Sequence, residues 1–218
     1  MAIRKIKVKK KMKLDKIQFI THRNSKYDYL DSALLALEGG IRFIQLRMKD
    51  ATKEELVRVG TRLKTECEKY GATLIIDDYV DLVTEIGIDG VHLGLMDEPI
   101  NNAREKLGKE KIIGGTANSF EDVMLQYSLG ADYVGVGPFA HTTTKEKLSS
   151  ILGLKGYEDI LGNCKRDNVN IPIYAIGGIR LSDLEGLKQA GVYGIAISSL
   201  ILESSSPIET TKEIVKIW

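Results

Sequence analysis

Cysteine is scarce: Cys67 and Cys164 are the only two, far apart and without a C-x-x-C partner. Neither a disulfide framework nor a paired-thiol site is on offer, and a reducing cytoplasm is the expected compartment. No serine stands in a G-x-S-x-G context, and neither His22 nor His141 has a partner that would define a nucleophilic triad. Long apolar runs are missing as well. No stretch approaches the roughly 18 apolar residues of a membrane span, and no apolar run of about 7–15 residues follows the basic start, as a secretory signal requires.

Acidic residues are absent from positions 1–13, which carry Arg4, Lys5, Lys7, Lys9, Lys10, Lys11 and Lys13. The net charge of +1 hides this asymmetry, because without those seven cations the body holds 24 basic against 30 acidic residues. No aromatic residues interleave the run and the body is not basic, so a nucleic-acid arm is not expected. Residues 1–13 read as a flexible tail and residues 14–218 as a single domain, free to form a homo-oligomer.

What is present is an alternation. Short apolar stretches at residues 17–21, 41–46, 72–76, 90–93, 111–114, 132–136, 171–176 and 193–197 are each followed by a segment with helical spacing. Thr52 with Glu55 reads as a capping box opening a long helix, and Gly71 as its stop. Strands this short, each followed by a helix over a connection of a few residues, imply parallel pairing and right-handed crossovers. Eight such units in 218 residues fit a compact (β/α)₈ TIM barrel of the α/β class. An open doubly wound sheet would show a glycine-rich first turn; Thr21-His22-Arg23-Asn24 has none.

In a barrel, chemistry belongs at the C-terminal ends of the strands. That rule selects His22 and Arg23; Gln45, Arg47 and Lys49; Asp77 and Asp78; His92 and Asp97; Thr116; the loop at 137–145; Gly177 and Gly178; and Ser198 and Ser199. The loop, GPFAHTTTK, follows an apolar strand with a glycine, three threonines and Lys145, a plausible cradle for phosphate or pyrophosphate. Arg47 and Lys49, spaced i, i+2, point the same way off an extended strand and suit a polyanion. Asp77 or Asp78 is expected to cap the next helix, leaving the other, with Asp97, to bind Mg²⁺ through oxygen. AIGGI places two glycines after the seventh strand, where many barrels bind phosphate, with residues 198–202 supplying a helix N-terminus. His92, between Val91 and Leu93, reads as a structural histidine rather than a ligand.

QLRMKD, LIIDDYVDL, GIDGVHLG followed by Asp97, IIGGTANS, GADYVGVGPFAHTTTK and IPIYAIGGI resemble, in order and spacing, the thiamine-phosphate synthase (thiamine-phosphate pyrophosphorylase) family of small TIM-barrel enzymes. The resemblance implies a transferase of thiamine biosynthesis that joins hydroxymethylpyrimidine diphosphate to thiazole phosphate, releasing pyrophosphate. Its partners would be those small molecules, with no nucleic acid and no membrane. It implies catalytic Lys145, Arg47 and Lys49 on the diphosphate, Mg²⁺ on Asp78 and Asp97, and Thr142 and Thr144 near the thiazole phosphate. Gly177, Gly178, Ser198 and Ser199 would line the thiazole-phosphate end, and Gln45, Asp77 and Thr116 the rest of the substrate site. The chain departs from the family's usual residues at Asp77 (asparagine), Leu95 (glutamine), Thr116 (serine) and His141 (proline). Those departures motivate two alternatives: a thiazole tautomerase on the same barrel, or a non-catalytic barrel that binds thiamine phosphates.

Overall fold

The computed structural model of the chain describes residues 14–141 and 150–218. The tail at 1–13 and the segment 142–149, with the expectations placed on Thr142, Thr144 and Lys145, lie outside the described residues.

The first half of the chain runs β1 (Ile17–Ile20), α1 (Tyr29–Glu38), β2 (Phe43–Leu46), α2 (Lys53–Tyr70), β3 (Thr73–Asp77), α3 (Val80–Ile86), β4 (Gly90–Leu93) and α4 (Ile100–Leu107). It continues through β5 (Ile112–Ala117), α5 (Phe120–Ser128), β6 (Tyr133–Val136), α6 (Gly153–Arg166), β7 (Ile173–Ile176), a 3₁₀ turn at Leu181–Asp183, α7 (Leu184–Ala190), β8 (Gly194–Ile197), α8 (Ser199–Leu202) and α9 (Pro207–Ile217). Each strand pairs in parallel with the next, and β1 pairs with β8 through Ile17 and Ile195, closing the barrel.

Local chemistry sets these boundaries. Asp28, Thr52 and Ser119 each accept a hydrogen bond from the backbone three residues on, while Asp31, Glu55 and Asp122 reach back to complete capping boxes. Gly71 ends α2 in the left-handed region at φ 65°. The strands are buried on both faces, as strands roofed by helices must be. Outward side chains such as Ile44, Leu74, Ile76 and Val134 join the helices in one large core. Inward ones, Phe43, Ile75, Ile112, Tyr133, Tyr174 and Ala196, form a second cluster inside the barrel.

Three expectations need adjustment. β5 runs to Ala117, so Thr116 belongs to the strand itself and faces the interior. The spacing of the sequence suggests a helix over roughly Tyr157 to Arg166; α6 starts earlier, at Gly153. Tyr79 occupies the cap position of α3 and makes no side-chain cap bond. The capping role given to one of Asp77 and Asp78 is therefore displaced; Asp77 turns inward instead, where stronger partners wait.

Candidate active site

Side chains alternate along a strand, so the residues two and four places beyond the inward Phe43 also face the barrel axis. These are Gln45 and Arg47, and Lys49 continues the series into the loop. Ile75 leads in the same way to Asp77, and Ile112 to Thr116. Together they open a cavity of about 460 Å³ at the C-terminal end of the barrel. Gln45, Arg47, Lys49, Asp77, Asp78, Asp97, Thr116, Gly177, Gly178, Ser198 and Ser199 all line it. His22 does too, whereas Arg23 points away toward Asp50 at 3.7 Å with most of its side chain in solvent.

At the β2–β4 side, Arg47 Nε lies 3.2 Å from Asp77 Oδ2, and Gln45 Nε2 donates to Asp77 Oδ1 at 2.6 Å. The ion pair uses only part of the guanidinium. Arg47 Nη2 is buried with no hydrogen-bond partner among the described residues, an orphan donor of the kind a ligand anion would satisfy. Thr21 fixes this arginine in place. Its fully buried hydroxyl accepts from Arg47 N at 2.9 Å and donates to Arg47 O at 3.2 Å.

Asp78 follows at a left-handed φ of 66°, a conformation aspartate tolerates better than most residues. It keeps solvent on one side, yet the protein packed around the other pushes its carboxyl up to about 7. Loss of water comes first among the causes, then the Asp77 charge and the hydrogen bond and charge of Asp97, with Arg47 opposing. Asp97 is held by Gly94 N, which donates to its Oδ2 at 2.6 Å. Among the described residues no group of three or more histidines, cysteines or carboxylates could hold a metal ion. Asp78 and Asp97 are a pair of crowded carboxylates.

On the β6–β8 side the backbone does the work. Phe139 N donates to Ile176 O and Ala140 N to Gly177 O, so the chain leaving β6 lies along the chain leaving β7. Gly177 and Gly178 have φ of 93° and 70°, and a side chain at 178 would strike the Ala140 carbonyl carbon and oxygen, each at 2.8 Å. Only glycine meets both constraints there. Ser198 Oγ is buried without a partner among the described residues, at the head of the single turn α8.

Sequence reasoning missed Thr21, Gln18, Tyr133 and Asn118. Asn118, within the IIGGTANS stretch, ties β5 to the next loop by donating Nδ2 to Gly137 O. Gln18 and Tyr133 sit in stretches read only as strand, and a polar side chain within an otherwise apolar strand was the available signal. His92 is a buried, hydrogen-bonded interior residue as expected, bonded to Tyr133 and Thr116, and it also borders the cavity.

The arrangement offers cations, crowded carboxylates and two glycines at positive φ, with no activated nucleophile among the described residues. It suits anion binding and charge stabilisation. Comparison with known proteins agrees. A family model described as "Thiamine monophosphate synthase" matches residues 17–201. A thiamine-phosphate synthase from Phocaeicola vulgatus is 53% identical over 92% of this chain and 97% of its own. One from Flavobacterium johnsoniae is 47% identical over 87% and 90%. The solved thiamine phosphate pyrophosphorylase from Pyrococcus furiosus superposes with a TM-score of 0.82 at 34% identity, covering 93% of this chain and 94% of that one. With its barrel, its strand-end residues and these relatives in accord, the chain belongs to the thiamine monophosphate synthase family.

Proposed function

We propose that this protein is the synthase itself, condensing hydroxymethylpyrimidine diphosphate with thiazole phosphate to give thiamine phosphate and pyrophosphate. The observation that carries this reading is a single cavity lined by two residues, Arg47 and Ser198, each with a buried polar side-chain atom that has no partner among the described residues. Arg47 follows β2, and Ser198 follows β8 and lines the same cavity as Gly177 and Gly178. Two phosphate-bearing substrates meeting in one pocket need such a division. The relatives cited carry the synthase's name and not the tautomerase's, so that alternative is not favoured.

In this reading the diphosphate rests on Arg47 and Lys49, with Lys145 from outside the described residues as a third cation. The thiazole phosphate is held by the amides of Gly177 and Gly178 and by Ser198 and Ser199, with Thr142 and Thr144 nearby. Gln45, Asp77 and Thr116 border the substrate between these ends. A pyrimidine bearing an amine can expel pyrophosphate, because the amine stabilises the methyl cation left behind, and the thiazole nitrogen then attacks that carbon. The protein need not supply a nucleophile. Its cations stabilise charge as it collects on the leaving group, and its walls hold the two rings in line and keep water out.

Mg²⁺ suits the remaining pair. Burial and mutual repulsion hold Asp78 up at about 7, a cost that a divalent cation between Asp78 and Asp97 would relieve. Mg²⁺ accepts one or two carboxylates and completes its shell with water and substrate phosphate. Bound there, it would neutralise charge on the diphosphate. We place the protein in a reducing cytoplasm, consistent with two buried, free thiols at Cys67 and Cys164.

Incubation with both substrates and Mg²⁺ should yield thiamine phosphate and pyrophosphate, and a chelator should stop it. Folded protein that makes no product while a known synthase does so alongside would sink the proposal.

A further inference from the structure

A continuous line of hydrogen bonds crosses the barrel interior. Arg47 pairs with Asp77, which accepts from Gln45 Nε2; Gln45 Oε1 accepts from Gln18 Nε2 at 2.9 Å; and Gln18 Nε2 also lies 3.0 Å from the Tyr133 hydroxyl. Tyr133 continues to His92 Nδ1 at 2.9 Å, and His92 Nε2 to Thr116 Oγ1 at 3.0 Å. Six strands contribute, and Gln18, Gln45, His92 and Tyr133 are all buried.

The direction of each bond follows from one end. Asp77 is ion-paired with Arg47 and accepts from the Gln45 amide, so Gln45 turns its NH₂ toward Asp77 and its oxygen toward Gln18. Gln18 must then supply N–H to that oxygen, and its second N–H goes to the Tyr133 oxygen. Tyr133 is left with its own proton to give, and His92 Nδ1 is the acceptor in reach. The alternative fails on satisfaction: a proton on His92 Nδ1 would aim two donors at one hydroxyl and strand that hydroxyl's hydrogen in a side chain with 0% exposure. Burial raises the Tyr133 hydroxyl's pKa far above its ordinary value, so it remains a donor.

We infer that Gln18 and Tyr133 are positioning residues that hold His92 as the neutral Nε2–H tautomer, so that Thr116, already accepting from His92, turns its own O–H into the cavity as a donor. Its counterpart is a hydrogen-bond acceptor on the bound substrate, a clause that rests on the synthase reading. Gly114 makes the geometry possible, because a side chain there would overlap the Tyr133 ring at 2.2 Å.

The test has two independent arms. In ligand-free protein labelled with ¹⁵N-histidine, His22→Gln and His141→Gln identify two of the three histidines. The remaining His92 should show a protonated Nε2 and a bare, hydrogen-bonded Nδ1, and Tyr133→Phe should release Nδ1 and mix the tautomers. An Nδ1–H or doubly protonated ring in the parent protein, or a tautomer unmoved by Tyr133→Phe, overturns the inference. This arm needs no turnover, so it stands or falls apart from the synthase reading. In the second arm, Thr116→Val and Tyr133→Phe each lose roughly threefold to tenfold in kcat/KM, the scale of one lost hydrogen bond, and Thr116→Ser, which restores the hydroxyl, recovers most of the loss seen with Thr116→Val. An active enzyme indifferent to Thr116→Val would remove the donor role.

Discussion

The two halves of the barrel interior are built from the same strands two residues apart, yet they do opposite things. Toward the N-terminal ends, Phe43, Tyr133 and Tyr174 meet edge to face at centroid distances of 5.2–6.0 Å and, with Ile75 and Ile112, fill the axis. Such pairs add about 0.5–1.5 kcal/mol each beyond the area they bury. Toward the C-terminal ends, Gln45, Asp77, His92 and Thr116 replace them with polar groups around a cavity. Stability and chemistry are thus separated by one step of the strand repeat. Tyr133 belongs to both halves, its ring in the plug and its hydroxyl in the polar layer.

If this division holds, substitutions on either side should split cleanly. The largest effect is expected from Phe43→Ala, which should cost about 3–5 kcal/mol of stability by denaturant unfolding while leaving kcat of the folded fraction unchanged. A parallel fall in kcat would show that the plug and the site are one unit. Arg47→Ala should reverse the pattern, lowering kcat/KM for pyrophosphate release by about 10²–10³-fold, the scale of one lost charge-stabilising donor. Its unfolding midpoint should move less than that of Phe43→Ala.

Ser198→Ala should act more narrowly. Its hydroxyl, unpartnered among the described residues, predicts a rise of about tenfold in KM for the thiazole phosphate with kcat nearly unchanged, measured with the diphosphate saturating. A fall in kcat alone would place Ser198 away from the ground-state phosphate.

The smallest effect concerns pH. Asp78 is raised to about 7 when folded, whereas an unfolded aspartate ionises near pH 3.9. Its contribution to stability is therefore fully present below about pH 4 and is lost as pH rises through about 7, because the unfolded chain releases its proton first. Metal-free Asp78→Asn should flatten that decline in thermal scans, and it should also lose any stabilisation that Mg²⁺ gives the parent protein near pH 8. An unchanged pH slope would mean that the crowding of Asp78, Asp77 and Asp97 is not felt by the fold.

Much of this was legible in the residues. The capping boxes, the glycine stops and the alternation of short apolar stretches with helical ones are local signals, and they locate the eight strands closely. Strand ends then nominate the site, because a closed parallel barrel gathers those ends around one mouth. Two of the misses share a physical cause. A strand roofed on both faces reads as a nearly continuous apolar run, so polarity alone does not say which alternate set faces the axis. Gln18 and Tyr133 were hidden in that way. The misplaced capping of α3 arose differently, since an aspartate beside a helix start satisfies the local rule whether or not an arginine from the neighbouring strand claims it.

By itself the sequence determined the barrel, its family and the chemical inventory of the mouth, because these depend on propensity, spacing and residue type. Only the tertiary structure decided how that inventory is spent. It paired Asp77 with Arg47 across two strands, left one guanidinium nitrogen and one serine hydroxyl at the mouth without partners among the described residues, and joined residues up to 115 positions apart into one hydrogen-bonded line. The direction of a hydrogen bond depends on what the partner offers at its far side, and that information exists only once the chain has closed.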